Sequence, residues 1–233
     1  MPTIIPLSNK QHAKLTYAPV TDFSFTRNQN SIPLLNFEIV RAARCFPVIF
    51  PDKNNPVAHA VLGLGSTNCY VDAKGNWTAS YLPLMIANHP FSLIQAHFTQ
   101  PTDDKEYELG LGIEEDAPQF HQKKGKLLFT DRGTETPVLY NIKKSLAEQY
   151  KRHIMYAPVL RALVEQDVLE ERTIAVEHGR TTKKVGGLRC ASKEKVLTLD
   201  DSTLSSWVRS GLMEMLFAHW QSLSHLGYLL EHS

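Results

Sequence analysis

Ten histidines, a run of three acids and one aromatic, glycine-rich stretch are where this sequence can do chemistry. Metal chemistry would need His, Cys, Asp or Glu ligands three or four apart on a helix, or a paired cysteine motif. His219 and His225 are six apart and His89 and His97 eight apart, and no CxxC joins Cys45, Cys69 or Cys190. His12, His59, His121, His153, His178 and His232 are scattered. The reading is therefore of no metal site, no disulfide framework and no named cofactor. Glu114, Glu115 and Asp116 could serve as acid and base at a strand end, with a solvated loop as the simpler account. His219 lies on the apolar side of the last helix beside Trp220. It reads as a buried, hydrogen-bonded histidine or, with function, as a proton-transfer or ligand-orienting group.

Gly63-Leu64-Gly65 follows an apolar run, but Asn68 holds the place of the third glycine of a dinucleotide loop. No GxxxxGK[ST], HExxH or GxSxG occurs. The basic runs Lys123–Lys126 and Thr181–Lys184 are short and lack interleaved aromatics. With a net charge of +1 there is no global field to draw nucleic acid. Trp77, Tyr81, Pro83, Pro90 and Phe91 could wall a pocket for a peptide or apolar ligand, or fill a core. With Asn68 and Asp72 from the same stretch and His219, the ligand-binding candidates are Asn68, Asp72, Trp77, Tyr81, Phe91 and His219. No catalytic residue is assigned.

The elements that must hold these residues read as α+β. The expected architecture is an antiparallel, strand-rich N-terminal portion packed with C-terminal helices. Residues 1–30 read as surface wrapping. Phe46–Phe50, Ala58–Leu64, Asn68–Asp72, Tyr107–Ile113 and Lys126–Phe129 read as short strands. Ile32–Cys45 fits a short strand or helix. A hairpin turn is expected at Ala73–Asn76, with Gly75 in the left-handed region. Val138–Ile154 and Ala157–Leu169 read as two helices, with Pro158 in the first turn of the second. Thr173–Glu177 and Lys184–Arg189 read as strands around His178-Gly179-Arg180. Asp200-Asp201-Ser202 starts a helix that stops near Gly211, and a last helix spans about Leu212–Leu230, its stripe broken by His219 and Ser222. The 233 residues, 42% hydrophobic and 21% charged, fit one domain over 1–233, with a subdivision placed near 100–137. Boundary candidates lie at Gln100–Glu106 and Gly133–Pro137. No apolar run spans a membrane and the N-terminus lacks a signal-peptide pattern, so the expected location is the cytoplasm.

Several pieces occur in one order. They are Ile32-Pro33-Leu34 with Glu38, Phe46–Phe50, Leu62-Gly63-Leu64, Asn68, Val71-Asp72, Gly75, Trp77, Tyr81, Pro83, Pro90 and Phe91. Leu128-Phe129, Gly133, Gly187 and Ala218–Leu223 follow. In this the chain resembles the SapC family of bacterial proteins, from about residue 15 to 230. It departs at Ala87-Asn88-His89, where the family has an arginine pair suited to carboxylate or phosphate. The resemblance implies an S-layer-related accessory protein that binds a peptide or protein partner in a cell-surface or secretion-linked pathway. The second reading is an enzyme modifying a peptide or amino-acid side chain, with metal dependence as one form of it. A third is an S-layer subunit.

Overall fold

The computed structural model describes residues 3–19, 21–96, 108–120, 122, 124–178 and 181–232. His97, the Gln100–Glu106 boundary, Tyr107, His121, Lys123, Gly179 and Arg180 lie outside the described residues. In chain order the strands are β1 (Ile4–Pro6), β2 (Thr16–Tyr17), β3 (Ser31–Pro33), β4 (Val48–Ile49), β5 (His59–Val61), β6 (Phe91–Ala96), β7 (Glu108–Glu114), β8 (Lys126–Leu127), β9 (Leu169–His178) and β10 (Thr181–Ala191). The helices are α1 (Ile39–Ala42), α2 (Leu84–Ala87), α3 (Pro137–Glu165), α4 (Lys193–Leu197), α5 (Asp201–Ser210), α6 (Leu212–Ser222) and α7 (Leu226–His232). Every ladder between these strands is antiparallel. The fold is α+β, as the pattern predicts. No helix among the described residues is long and apolar enough to cross a membrane.

The chain divides into two compact units, Met1–Thr21 with Asn88–Lys151 and Asp22–Ala87 with Arg152–Ser233. In the first, β7 lies between β1 and β6, and β2 pairs with β8. The core of this unit holds Phe91, Leu111, Ile113, Phe120 and Leu128. Tyr17 and Phe120 meet the Phe91 ring edge-on, with centroids 5.0 and 5.7 Å away. Residues 4–6 and 16–17 thus join ladders instead of only wrapping the surface. The short Ile4-Ile5-Pro6 run carries too little pattern to show this, and long-range pairing decides it.

In the second unit β5 lies between β3 and β4, and β9 and β10 form a long hairpin. The register shifts between Val185 and Leu188, at a bulge containing Gly186 and Gly187. Asp200 caps α5 by accepting from Thr203 N–H, and Gly211 ends it at φ 81°. The helix expected over 212–230 is α6 and α7 joined by a 3₁₀ turn, Leu223–His225. The two helices expected around Pro158 are one, with Pro158 inside α3. Proline forfeits a backbone hydrogen bond there, but Leu160 and Leu163 beyond it are buried in the core and keep the helix going. That helix stops earlier than expected. Asp167 turns to φ 45°, and Val168 N–H bonds back to Leu163 C=O, which frees Leu169 to begin β9.

Candidate functional site

The segment 68–81 is a chain of turns, not the strand expected at Asn68–Asp72. Asn68 is buried; its Oδ1 accepts Tyr70 N–H at 2.9 Å and its amide reaches Thr26 Oγ1 at 3.3 Å. Asp72 Oδ1 accepts the N–H groups of Lys74 and Asn76, both at 2.8 Å, and Oδ2 accepts the Asn76 amide at 2.9 Å. The Asn76 bonds, side chain first, hold the Asp72 carboxyl below the usual range. Gly75 closes this turn at φ 82°, where an added Cβ would strike Asp22 Oδ1. Val71 then pairs with Trp77 across it, as the hairpin reading predicts.

Trp77 and Tyr81 come together. Trp77 Nε1–H donates to the Tyr81 carbonyl at 2.8 Å, and the Tyr81 hydroxyl donates to Glu38 Oε2 at 2.6 Å. Glu38 is buried and also accepts Leu84 N–H at 3.0 Å and Leu35 N–H at 2.7 Å. Burial pushes its carboxyl up, against the pull of those three bonds. The Trp77 ring packs on Phe46 and Phe23, with centroids 6.0 and 6.1 Å away. The loop after Gly63 is held by Asn30, whose amide donates to Gly65 C=O at 2.9 Å, and no helix opens there as a dinucleotide loop would require.

His219 does different work. It is fully buried on α6. Its Nδ1–H donates to Val48 C=O at 2.8 Å, and Nε2 accepts Ala191 N–H at 3.1 Å. Phe50 N–H donates to Arg189 C=O at 2.9 Å, which ties the end of β4 to β10. The imidazole bridges one backbone group of each strand. Ser222 Oγ takes Val48 N–H at 2.9 Å and Trp220 Nε1–H donates to Ala191 C=O at 2.8 Å. Four backbone groups of Val48 and Ala191, on strands of two separate sheets, are thus satisfied by three side chains of one helix. Burial drives the His219 pKa down to about 4, against the opposing Val48 bond, so the ring is neutral at pH 7. Phe91, the sixth candidate, lies in the core of the other unit. At the departure from the family pattern, Asn88 donates to Gln149 Oε1 at 2.6 Å. His89 Nε2 meets Glu114 Oε2 at 3.0 Å.

An open groove of the second unit is built from other residues. A cavity of about 780 Å³ lies between α1, α5 and α6, walled by Val40, Ala43, Val208, Met213, Phe217 and Ala218. Arg44 and His225 also line a second cavity of about 310 Å³ with Tyr70, Ser80 and Tyr228. The two cavities therefore adjoin at this pair. The sequence held a signal for the groove: α6 is apolar at Met213 and Phe217 as well as along its core stripe of Leu212, Met215 and Leu216, a wider apolar surface than one core-facing stripe. Among the described residues no three His, Cys, Asp or Glu side chains are grouped to hold a metal ion.

A family model described as SapC matches residues 7–229. The chain belongs to the SapC family. No curated protein and no solved structure gives a significant match. The match takes in both units, and with them the turn at Asp72–Asn76, the buried Glu38 and the α6 side chains that bridge β4 and β10. In this SapC chain the Ala218–Leu223 segment, quoted above for its likeness to the family, carries the three side chains that bond the backbone of Val48 and Ala191.

Proposed function

We propose that this SapC chain is an accessory protein that binds a peptide or protein partner in a cell-surface or secretion-linked pathway, and that the partner docks in the α1–α5–α6 groove. One observation carries the reading. Val208 and Phe217 are 65% and 53% exposed, and both face the same cavity beside Met213 and Ala218. An apolar wall left open beside polar residues is the form of a peptide-binding groove. Arg44 and Glu214, both lining the groove, offer a partner segment contacts of opposite charge that fix its direction. The best-fitting partner is an amphipathic segment with apolar side chains for the Val208–Phe217 wall and an acid for Arg44.

Site-specific crosslinking in the native host tests this. A photoreactive residue at position 208 should give a discrete adduct that Phe217→Glu abolishes. The same residue at Leu197, which is 66% exposed and lies outside the groove, should give none. Equal adducts at both positions would overturn the docking site.

A further inference from the structure

A smaller pocket of the second unit has a different chemistry. It measures about 160 Å³, and its walls include Asn36, Asn55, His153 and Arg161 but no acidic residue. That volume lies below the range of pockets that enclose whole cofactors, and suits a single functional group.

Asn36 is buried, and its backbone N–H and its side-chain amide both donate to one histidine. Its backbone N–H donates to His153 Nδ1 at 3.1 Å, and its side-chain amide donates to the His153 carbonyl at 3.0 Å. These bonds fix both the ring and the backbone of His153. Since Nδ1 accepts, the neutral ring carries its proton on Nε2, which leaves the ring of this pocket-lining residue one N–H to donate. Burial holds the ring below its ordinary pKa, which favours this neutral form. Arg161, two turns further along α3, is exposed and makes no ion pair among the described residues. Asn55 adds a carboxamide from the turn before β5. The pocket thus offers a planar guanidinium fork, one oriented imidazole N–H and an amide, with no carboxylate of its own to compete.

We propose that this pocket binds a carboxylate group. Arg161 would take both oxygens in its fork, and His153 Nε2–H would fix the plane of the group. The ligand is either a small free acid or the acidic side chain of a peptide; the chemistry that recognises them is the same. The site does not depend on the groove and stands or falls separately from it. A purely structural role for the Asn36–His153 pair, tying the loop after β3 to α3, accounts for the two hydrogen bonds and predicts no response to an added acid.

Titration of the 233-residue chain, followed through its histidine imidazole ¹⁵N resonances, separates these accounts. Three probes are used: acetate, the α-amide of N-acetylglutamate and, as uncharged control, the α-amide of N-acetylglutamine. The proposal expects a saturable shift of the His153 Nε2 signal with at least one carboxylate and none with the glutamine compound. Arg161→Gln should weaken binding about tenfold or more, as loss of a charge-assisted pair implies. Arg161→Lys should retain part of it, and Arg209→Gln, at another exposed arginine, should change nothing. Tighter binding of the glutamate derivative assigns the site to a peptide side chain, and tighter or equal binding of acetate to a small acid. A linear, non-saturating response, or equal responses in wild type and Arg161→Gln, would overturn the site.

Discussion

Helix α6 has two faces, and they handle their polar and apolar groups in opposite ways. The inner face carries a histidine and a serine into a fully buried layer, and each of their polar atoms there has a backbone partner. The outer face carries Met213, Phe217 and Ala218, apolar side chains that line an open groove. The difference separates polarity from function. Polar groups are buried where they complete the fold, and in the function proposed above the exposed apolar groups are the ones a partner covers. Breaking each face in turn should therefore give effects of very different size and kind.

The largest effect belongs to His219→Ala. It removes the imidazole from a dry layer and leaves Val48 C=O and Ala191 N–H without partners. A cavity is added to two unsatisfied groups, and the expected loss is roughly 3–5 kcal/mol in urea unfolding. Ser222→Ala orphans Val48 N–H alone and should cost about 1–3 kcal/mol. Equal and small losses would mean that the β4–β10 link is not held by α6.

Acidification probes the same face without a change of shape. The unfolded imidazole titrates near its ordinary value of about 6.5, and the folded one only at about 4. Between those values the unfolded chain binds a proton that the native state refuses. The His219 contribution is therefore complete above pH 6.5 and is lost as pH falls toward 4, at up to about 1.4 kcal/mol per pH unit. The stability–pH slope of His219→Gln, compared with wild type across that window, should be shallower by this amount. Parallel slopes would show that the ring is not held neutral in the folded state.

How much of this was legible in the sequence follows from the range of the interactions. Local signals served well. Asp200 and Gly211 bound α5, and Gly75 sets the turn before Trp77, because caps and left-handed positions are decided within a few residues. Signals that need a distant partner did not show. Ile4–Pro6 and Thr16–Tyr17 are strands only because β7 and β8 lie beside them. The helical stripe of 212–230 seemed broken at His219 and Ser222, yet both point inward, since their partners at Val48 and Ala191 lie far away in the chain. Trp77 and Tyr81 were legible as neighbours. The hydrogen bond from Tyr81 to Glu38 was not, because nothing in a single sequence says which carboxylate is buried. The groove left a trace in the apolar Met213 and Phe217 outside the core stripe of α6, but its volume depends on how α1 and α5 are placed.

The smallest stability effect should come from the outer face. Phe217→Ser removes a half-exposed ring that meets Trp220 edge-on, with centroids 5.5 Å apart. Exposed substitutions of this kind change stability by about 0.5 kcal/mol, and loss of the aromatic pair adds about 0.5–1 kcal/mol. The urea midpoint should thus move little while the crosslink at position 208 disappears. In His219→Ala the crosslink should fall only in proportion to the unfolded fraction. That dissociation of stability from binding is what the two faces of α6 require. A loss above about 3 kcal/mol in Phe217→Ser, the range of buried aromatics, would place the ring in the core and remove the groove's apolar wall from consideration as a binding surface.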